Sequence, residues 1–275
     1  MPAIVTGIPM PKVSVIIPCF NHGDYLDEAV ESILAQTFHD YEIIIVNDGS
    51  TDEKTIGKLA DYRQPKTRVI HTRNQGLAMA RNNGIREARG EYILPLDADD
   101  KIAPEYLEKA VKIMDSHAKT GIVYCLADCF GAQHGRWGIP DYSPHGMLLT
   151  NLIFCSSLFR KISWEQTSGY NPNMRKGWED WDFWLTLIEQ GWEVYRIPEV
   201  LFFYRVTPES MIRSMDRHTK VEMHLQLMRN HPRLFAVQSR LLLEVYYLLR
   251  DSKLYRIAKK LRIPSFIGNT MADRR

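Results

Sequence analysis

Residues 91–104 read EYILPLDADDKIAP, an apolar run suited to the inside of a sheet that stops at Asp97, Asp99 and Asp100. Carboxylates packed this closely repel one another, and each is better solvated in bulk water than at the mouth of a core. Asp97 and Asp99 are two apart; held extended they point the same way, and in a turn they converge on a common centre. Convergent carboxylates in a hydrated pocket suit a hard divalent cation, Mg²⁺ or Mn²⁺. Such a cation keeps several waters and takes one or two carboxylates together with substrate phosphates. That pairing points to a nucleotide diphosphate. The alternative is a solvated acidic loop with Asp100 capping the helix that follows. Asp48, at the end of the run EIIIVN, is a second candidate, although NDGSTD is equally well explained as turn chemistry with an N-cap. Ligands of open α/β sheets gather outside the carboxyl ends of the strands. The functional reading therefore needs Asp48 and Asp97 at one sheet edge. Glu179 and Asp180 open the tryptophan-rich stretch GWEDWDFWLTLIEQG, where a helix dipole alone would favour acids.

The elements that must position these acids follow from the apolar pattern. VSVII (13–17) reads as a buried strand stopped by Pro18, and Leu26, Ala29, Val30, Ile33 and Leu34 fall at helical spacing behind Asp24. Further strands are expected at 42–47, 68–71 and along EYILPL, where Pro95 implies a bulge or an early end of pairing. Helices are expected over 77–88, weakened by Gly84, and from Pro104 to about His117, with another strand over 121–127. This β-α alternation predicts an α/β fold with a mostly parallel sheet covered by helices. Residues 128–146 read as a loop or irregular hairpin, 177–191 as a helix, WEVYRIP and VLFFYRV as two short strands, and the chain from Ser214 as largely helical.

The 275 residues are 45% hydrophobic and carry a formal charge of +2, which implies no nucleic-acid partner. Residues 229–275 hold 11 Lys or Arg against 3 Asp or Glu, a local +8 that leaves about −6 on the remainder. Within that segment LLLEVYYLLRDSKLYRIAKKLRIP mixes Leu, Tyr and Ile with basic residues. It reads either as a basic amphipathic helix on an anionic membrane surface or as a helix packed on the preceding α/β domain with solvated lysines. Cys19, Cys125, Cys129 and Cys155 show no metal-like spacing, so free thiols in a reducing cytosol are expected. The opening residues lack a signal-peptide pattern, and no window approaches 18 apolar residues. The expected location is cytoplasmic, with a peripheral position on the inner face of the membrane if the basic segment binds lipid.

Three ordered blocks carry a resemblance. They are VSVIIPCFNHGDYLDEAVESILAQTFHDYEIIIVNDGSTD, then NQGLAMARNNGIREARGEYILPLDADD, then GWEDWDFWLTL. Together they resemble the inverting nucleotide-sugar glycosyltransferases of family 2, which have the GT-A fold, over roughly residues 12–205. The resemblance implies that Pro18, Phe20 and Asn21 line the nucleotide base and that Asp48 accepts a hydrogen bond from it, usually uracil. It implies that Arg81 and Asn82 lie near base and phosphate, and that Asp97 and Asp99 hold ribose and metal, with Asp99 the direct ligand. Asp180 is then the base that deprotonates the acceptor hydroxyl, supported by Glu179. Many relatives carry a histidine in Tyr-Arg-x-His; here Val206, Thr207 and Pro208 follow Arg205, so the third metal ligand is open and Arg205 is a candidate for the diphosphate.

The expected organisation is a nucleotide-sugar-binding half (1–110), an acceptor-binding half (111–213) and a basic helical extension (214–275). The implied donor is a UDP-sugar and the implied acceptor a glycan or a lipid-linked hydroxyl. Two alternatives stay open: a non-catalytic carbohydrate- or nucleotide-binding subunit of the same fold, and a sugar nucleotidyltransferase, for which PCFNHGDYL lacks the Gly-rich triphosphate loop.

Overall fold

A computed structural model describes residues 10–207, 215–236, 244 and 247–248. Two units emerge, 1–231 and 232–275. The basic helix read over 241–264 and the boundary at 213 lie almost wholly outside the described residues.

The first unit is built on β1 (Val13–Cys19), β2 (Tyr41–Asp48), β3 (Thr67–Thr72), β4 (Tyr92–Pro95), β5 (Lys101–Ile102), β6 (Thr120–Gly131), β7 (Gly135–Arg136), β8 (Leu158–Arg160) and β9 (Glu193–Val206). They form one sheet in the order β3-β2-β1-β4-β8-β6-β9-β5, with β7 on β6. The ladders of β1 with β2 and β4, of β2 with β3 and of β6 with β9 are parallel; the antiparallel ones are only two residue pairs long. The flanking helices are α1 (Leu26–Leu34), α2 (Glu53–Ala60), α3 (Leu77–Glu87), α4 (Tyr106–Ser116), α5 (Lys161–Glu165), α6 (Glu179–Glu189) and α7 (Arg217–Asn230).

Two of the three strand prolines, Pro18 and Pro95, are accommodated by where pairing ends. β1 continues through Pro18, paired with Val46, and does not stop before it. The backbone of even-numbered β1 residues faces β4, as the bond from Leu96 N–H to Ile16 C=O shows, and β4 is already finished opposite Pro18. No donor is missed there. Pro95 ends β4, as its ring requires, with β8 pairing over at Ile93. The two short strands expected near the end of the domain are one: β9 runs 14 residues through Pro198. Register shifts against β6 between Cys125 and Ala127 absorb the residues around that proline. α1 begins behind Tyr25, so Asp24 is not its cap.

Gly84 does more than weaken α3. A Cβ there would stand 2.4 Å from Ile16 Cγ2 and 2.9 Å from Val46 Cγ2. Its absence lets α3 lie directly on β1 and β2, which fixes the depth of Arg81 and Asn82 one turn earlier.

Candidate active site

The strand order answers the question raised by the acids. β2, β1 and β4 are neighbours and parallel, so the ends carrying Asp48, Phe20 and Asp97 open on the same edge. Past β4, Asp100 N–H closes a turn onto Asp97 C=O at 3.1 Å, which brings Asp97 and Asp99 together. Asp99 is partly buried with no side-chain donor on its carboxylate among the described residues. Burial and then the Asp97 charge raise its pKa, against His22 and Arg205. Asp100 is buried, raised well above the ordinary range by burial and by Asp99 and Asp97, and accepts from Arg205 N–H at 2.8 Å. It caps no helix; Glu105 stands at the start of α4.

Arg81 is the centre of the arrangement. It is 1% exposed, donates to Asp97 Oδ1 at 2.7 Å and pairs with Glu179 Oε1. The guanidinium thus joins the metal-type loop after β4 to the first residue of α6. Two carboxylates hold it in the interior, and its Nε is left without a partner among the described residues. Asn82 is turned inward as well. It is buried, its oxygen accepts from Trp164 Nε1 and Tyr170 N–H at 2.9 Å each, and its amide donates to Tyr170 C=O at 2.8 Å. Its hydrogen-bonding capacity is spent on anchoring residues 164–170.

Asp180 receives Trp181 N–H at 2.7 Å on Oδ1 and Asn151 Nδ2 at 3.0 Å on Oδ2, which leaves each oxygen a free lone pair. Burial, then the neighbouring Glu179, push its pKa up to about 7 against the pull of Arg81. Trp178, just before the acids, holds a left-handed backbone at φ 62 and packs against Trp181 with ring centroids 5.0 Å apart. Bulky residues take this conformation only where their surroundings impose it. Trp181 and Trp184 are buried, as their helical spacing implies.

On the base side, Asn21 (φ 58) ties two turns together. Its Oδ1 accepts from Thr51 and Asp52 N–H, and its amide donates to Thr51 Oγ1. Asp48 is 3% exposed and takes Thr72 Oγ1, Gln75 N–H and Gly76 N–H. Those three donors leave about one of its roughly four acceptor positions. Pro18 is buried, whereas Phe20 is 42% exposed and offers a ring face at the edge. Arg205 lies between the Tyr25 and Phe130 rings at 4.5 and 4.3 Å, donates through Nε to Asp99 C=O at 2.8 Å and stands 2.9 Å from Glu28. It braces the acidic turn.

Residues 147–176 gave no signal in sequence, yet they supply Asn151 to Asp180 and Cys155, whose thiol is 3.3 Å from Asp97 Oδ2. Burial, then Asp97, hold that thiol far above its usual pKa, so it donates as a neutral S–H. No pattern of spacing marks either residue. His218 is exposed at the start of α7. Among the described residues no group of three or more His, Cys, Asp or Glu is arranged to hold a metal ion. Asp97 and Asp99 nevertheless fit a cation completed by phosphates, because Asp99 is a poorly compensated carboxylate beside a second one.

Comparison with known proteins gives the same outline. Residues 14–175 match the model described as Glycosyl transferase family 2. TuaG of Bacillus subtilis (strain 168), named as a glycosyltransferase of teichuronic acid biosynthesis, is 35% identical over 208 residues, covering 73% of this chain and 81% of TuaG. Among solved structures, S. aureus TarS 1–349 in complex with UDP-GlcNAc matches with a TM-score of 0.60 at 18% identity, over 82% of this chain and 73% of that one. The mannosyltransferase PcManGT from Pyrobaculum calidifontis, in complex with GDP-Man and Mn²⁺, matches with a TM-score of 0.58 at 18% identity, over 92% and 84%.

Proposed function

The chain belongs to glycosyl transferase family 2 and is a glycosyltransferase; on that premise we propose that it moves a sugar, with inversion, from a UDP-sugar to a hydroxyl of a glycan or a lipid-linked acceptor. The observation that carries the proposal is the bridge from Asp97 through Arg81 to Glu179, which ties the two acid loops into one site with Asp180 beside it. TarS bound to UDP-GlcNAc and PcManGT bound to GDP-Man support a nucleotide-sugar donor. The naming of TuaG supports an acceptor within a cell-envelope polysaccharide.

In this mechanism Asp180 accepts the proton of the acceptor hydroxyl as its oxygen attacks the anomeric carbon from the face opposite the nucleotide. A base near pH 7 is well matched to that task, since it is half unprotonated yet still basic. Trp181 N–H and Asn151 aim its carboxylate. Glu179 is held by Arg81 and acts in support, leaving Asp180 as the base. Asp97 and Asp99 would hold Mg²⁺ or Mn²⁺, which when bound offsets charge on the departing diphosphate. Arg205 keeps the Asp99 turn in position through its backbone carbonyl. Phe20 offers a face for the base, and the remaining acceptor position of Asp48 suits the ring N–H of uracil.

The test is a hydrolysis and transfer screen across UDP-, GDP- and dTDP-sugars with Mn²⁺, since water can replace a missing acceptor. Release of UDP from a UDP-sugar, with an inverted anomeric product, supports the proposal. Nucleotide binding without turnover would favour a binding subunit, and pyrophosphate release a nucleotidyltransferase.

A further inference from the structure

α7 follows β9 and touches α6, the helix that begins with Glu179 and Asp180, through His224, Asn230 and the residue after it. The His224 ring of α7 is 5.5 Å from Trp181 and 6.4 Å from Trp178. At the far end Asn230 Nδ2 donates to Asp182 Oδ1 at 2.5 Å. His231, just beyond, sets both ring nitrogens against carboxylates of α6: Nε2 is 3.2 Å from Asp182 Oδ1 and Nδ1 is 3.3 Å from Glu189 Oε2. His231 is 3% exposed and Asp182 2%. A neutral imidazole has a single N–H, so it could serve only one of these acids and would turn a lone pair toward the other. The imidazolium donates to both.

We propose that His231 is a positioning residue for sugar transfer: its imidazolium pins α7 to α6 and so holds the helix that carries Asp180, and loss of its proton loosens that hold. The groups facing the ring are Asp182 and Glu189 from α6, and the Asn230 amide of α7 shares Asp182 Oδ1 with it. Among the described residues no Lys or Arg pairs with either acid, so the ring is their cationic partner. Burial draws the pKa of His231 down; hydrogen bonds and charge from Asp182, then from Glu189, draw it up, and the balance is upward. A histidine with a raised folded pKa contributes stability that is complete below its unfolded value and lost as pH rises through the folded one. The latch is therefore closed in acid and opens toward alkaline pH. Its role in positioning rests on Asp180 being the base; its existence does not.

The test uses the full chain. In histidine-labelled protein followed by NMR, His231 should titrate above the free value of about 6.5, and Glu189→Gln should move it down. Hydrogen exchange of a peptide covering residues 179–189, corrected for intrinsic rates, should speed up in wild type above that pKa. In His231→Gln it should be fast at every pH. With a donor found in the screen above, His231→Gln should lose about 10- to 100-fold in kcat at low pH with KM unchanged, and the gap should close as pH rises. If His231→Gln does not fold, Glu189→Gln, which keeps the Asp182 contact, replaces it: its exchange should speed up, and its kcat fall relative to wild type, from a lower pH than in wild type, and an unshifted onset overturns the latch. A His231 titrating at or below the free value, or an exchange difference independent of pH, overturns the latch. A pH-independent kcat ratio overturns positioning alone. Failure of wild type to turn over any donor counts against the glycosyltransferase mechanism, and titration and exchange then decide the latch.

Discussion

Asp180→Asn should separate activity from stability. In the folded chain this carboxylate is pushed from 3.8 to about 7 by burial and by Glu179. At about 1.4 kcal/mol per pKa unit, holding it ionised costs roughly 4 kcal/mol, an upper bound because the site is partly open to water. The native state keeps a proton that the unfolded chain has released, so wild-type stability falls as pH rises from the ordinary carboxylate range to about 7 and is level above it. The asparagine cannot ionise and escapes that fall. Its amide oxygen can still accept Trp181 N–H, but the new NH₂ faces the NH₂ of Asn151, whose oxygen already accepts Ile153 N–H, so one hydrogen bond worth about 1 kcal/mol is lost at either pH. The variant should melt close to wild type near pH 5 and some 5–10 °C above it near pH 8, by the usual 2–4 °C per kcal/mol for a chain of this size. Circular dichroism melts at the two pH values measure this. Turnover in the donor assay should fall roughly 10²–10⁴-fold with donor binding retained, and the wild-type rate should rise as Asp180 ionises and fall again where His231 loses its proton. A variant that turns over normally would show that the base lies elsewhere. One that is less stable than wild type at pH 8 would show that the carboxylate is not held at a cost.

Asp99→Ala should abolish turnover, and chelation by EDTA should do the same until Mn²⁺ or Mg²⁺ is restored; calorimetry should find metal binding weak without UDP, because only two carboxylates converge. Arg81→Met strands Asp97 and Glu179 and should cost about 3–5 kcal/mol in urea denaturation at pH 8, less at pH 5, where the acids can take up protons. For the +8 segment from Arg229, full-length protein should co-sediment with anionic but not neutral vesicles, with binding that fades as salt rises. Indifference to anionic vesicles at low salt excludes the membrane role.

The sequence by itself determined the sheet elements from Val13 to Pro95 and the acids that stand at their ends. Each of those signals is local. An apolar run such as VSVII, a helix at 3.6-residue spacing and acids at a strand end are written within a few residues of one another, and Asp97 and Asp99 stood out on that basis; Glu179 and Asp180 were singled out only through the resemblance, because a helix dipole alone accounts for acids there. The fates of Arg81 and Asn82 were not, since adjacent polar residues on one helix give no sign of what will face them. Tertiary packing decided that Arg81 meets an acid 98 positions away and that Asn82 is consumed by residues 164–170. Asn151, Cys155 and His231 were invisible for the same reason: the acids they meet lie 29, 58 and 49 positions away in the chain. The length of β9 was also decided by packing, because Pro198 breaks a strand judged alone and is tolerated where the ladder with β6 slips register. Periodicity encodes which face of an element is buried. What that face touches is set only when elements distant in sequence are brought together, and there a buried charge must find its counter-charge or the fold bears the cost of desolvating it.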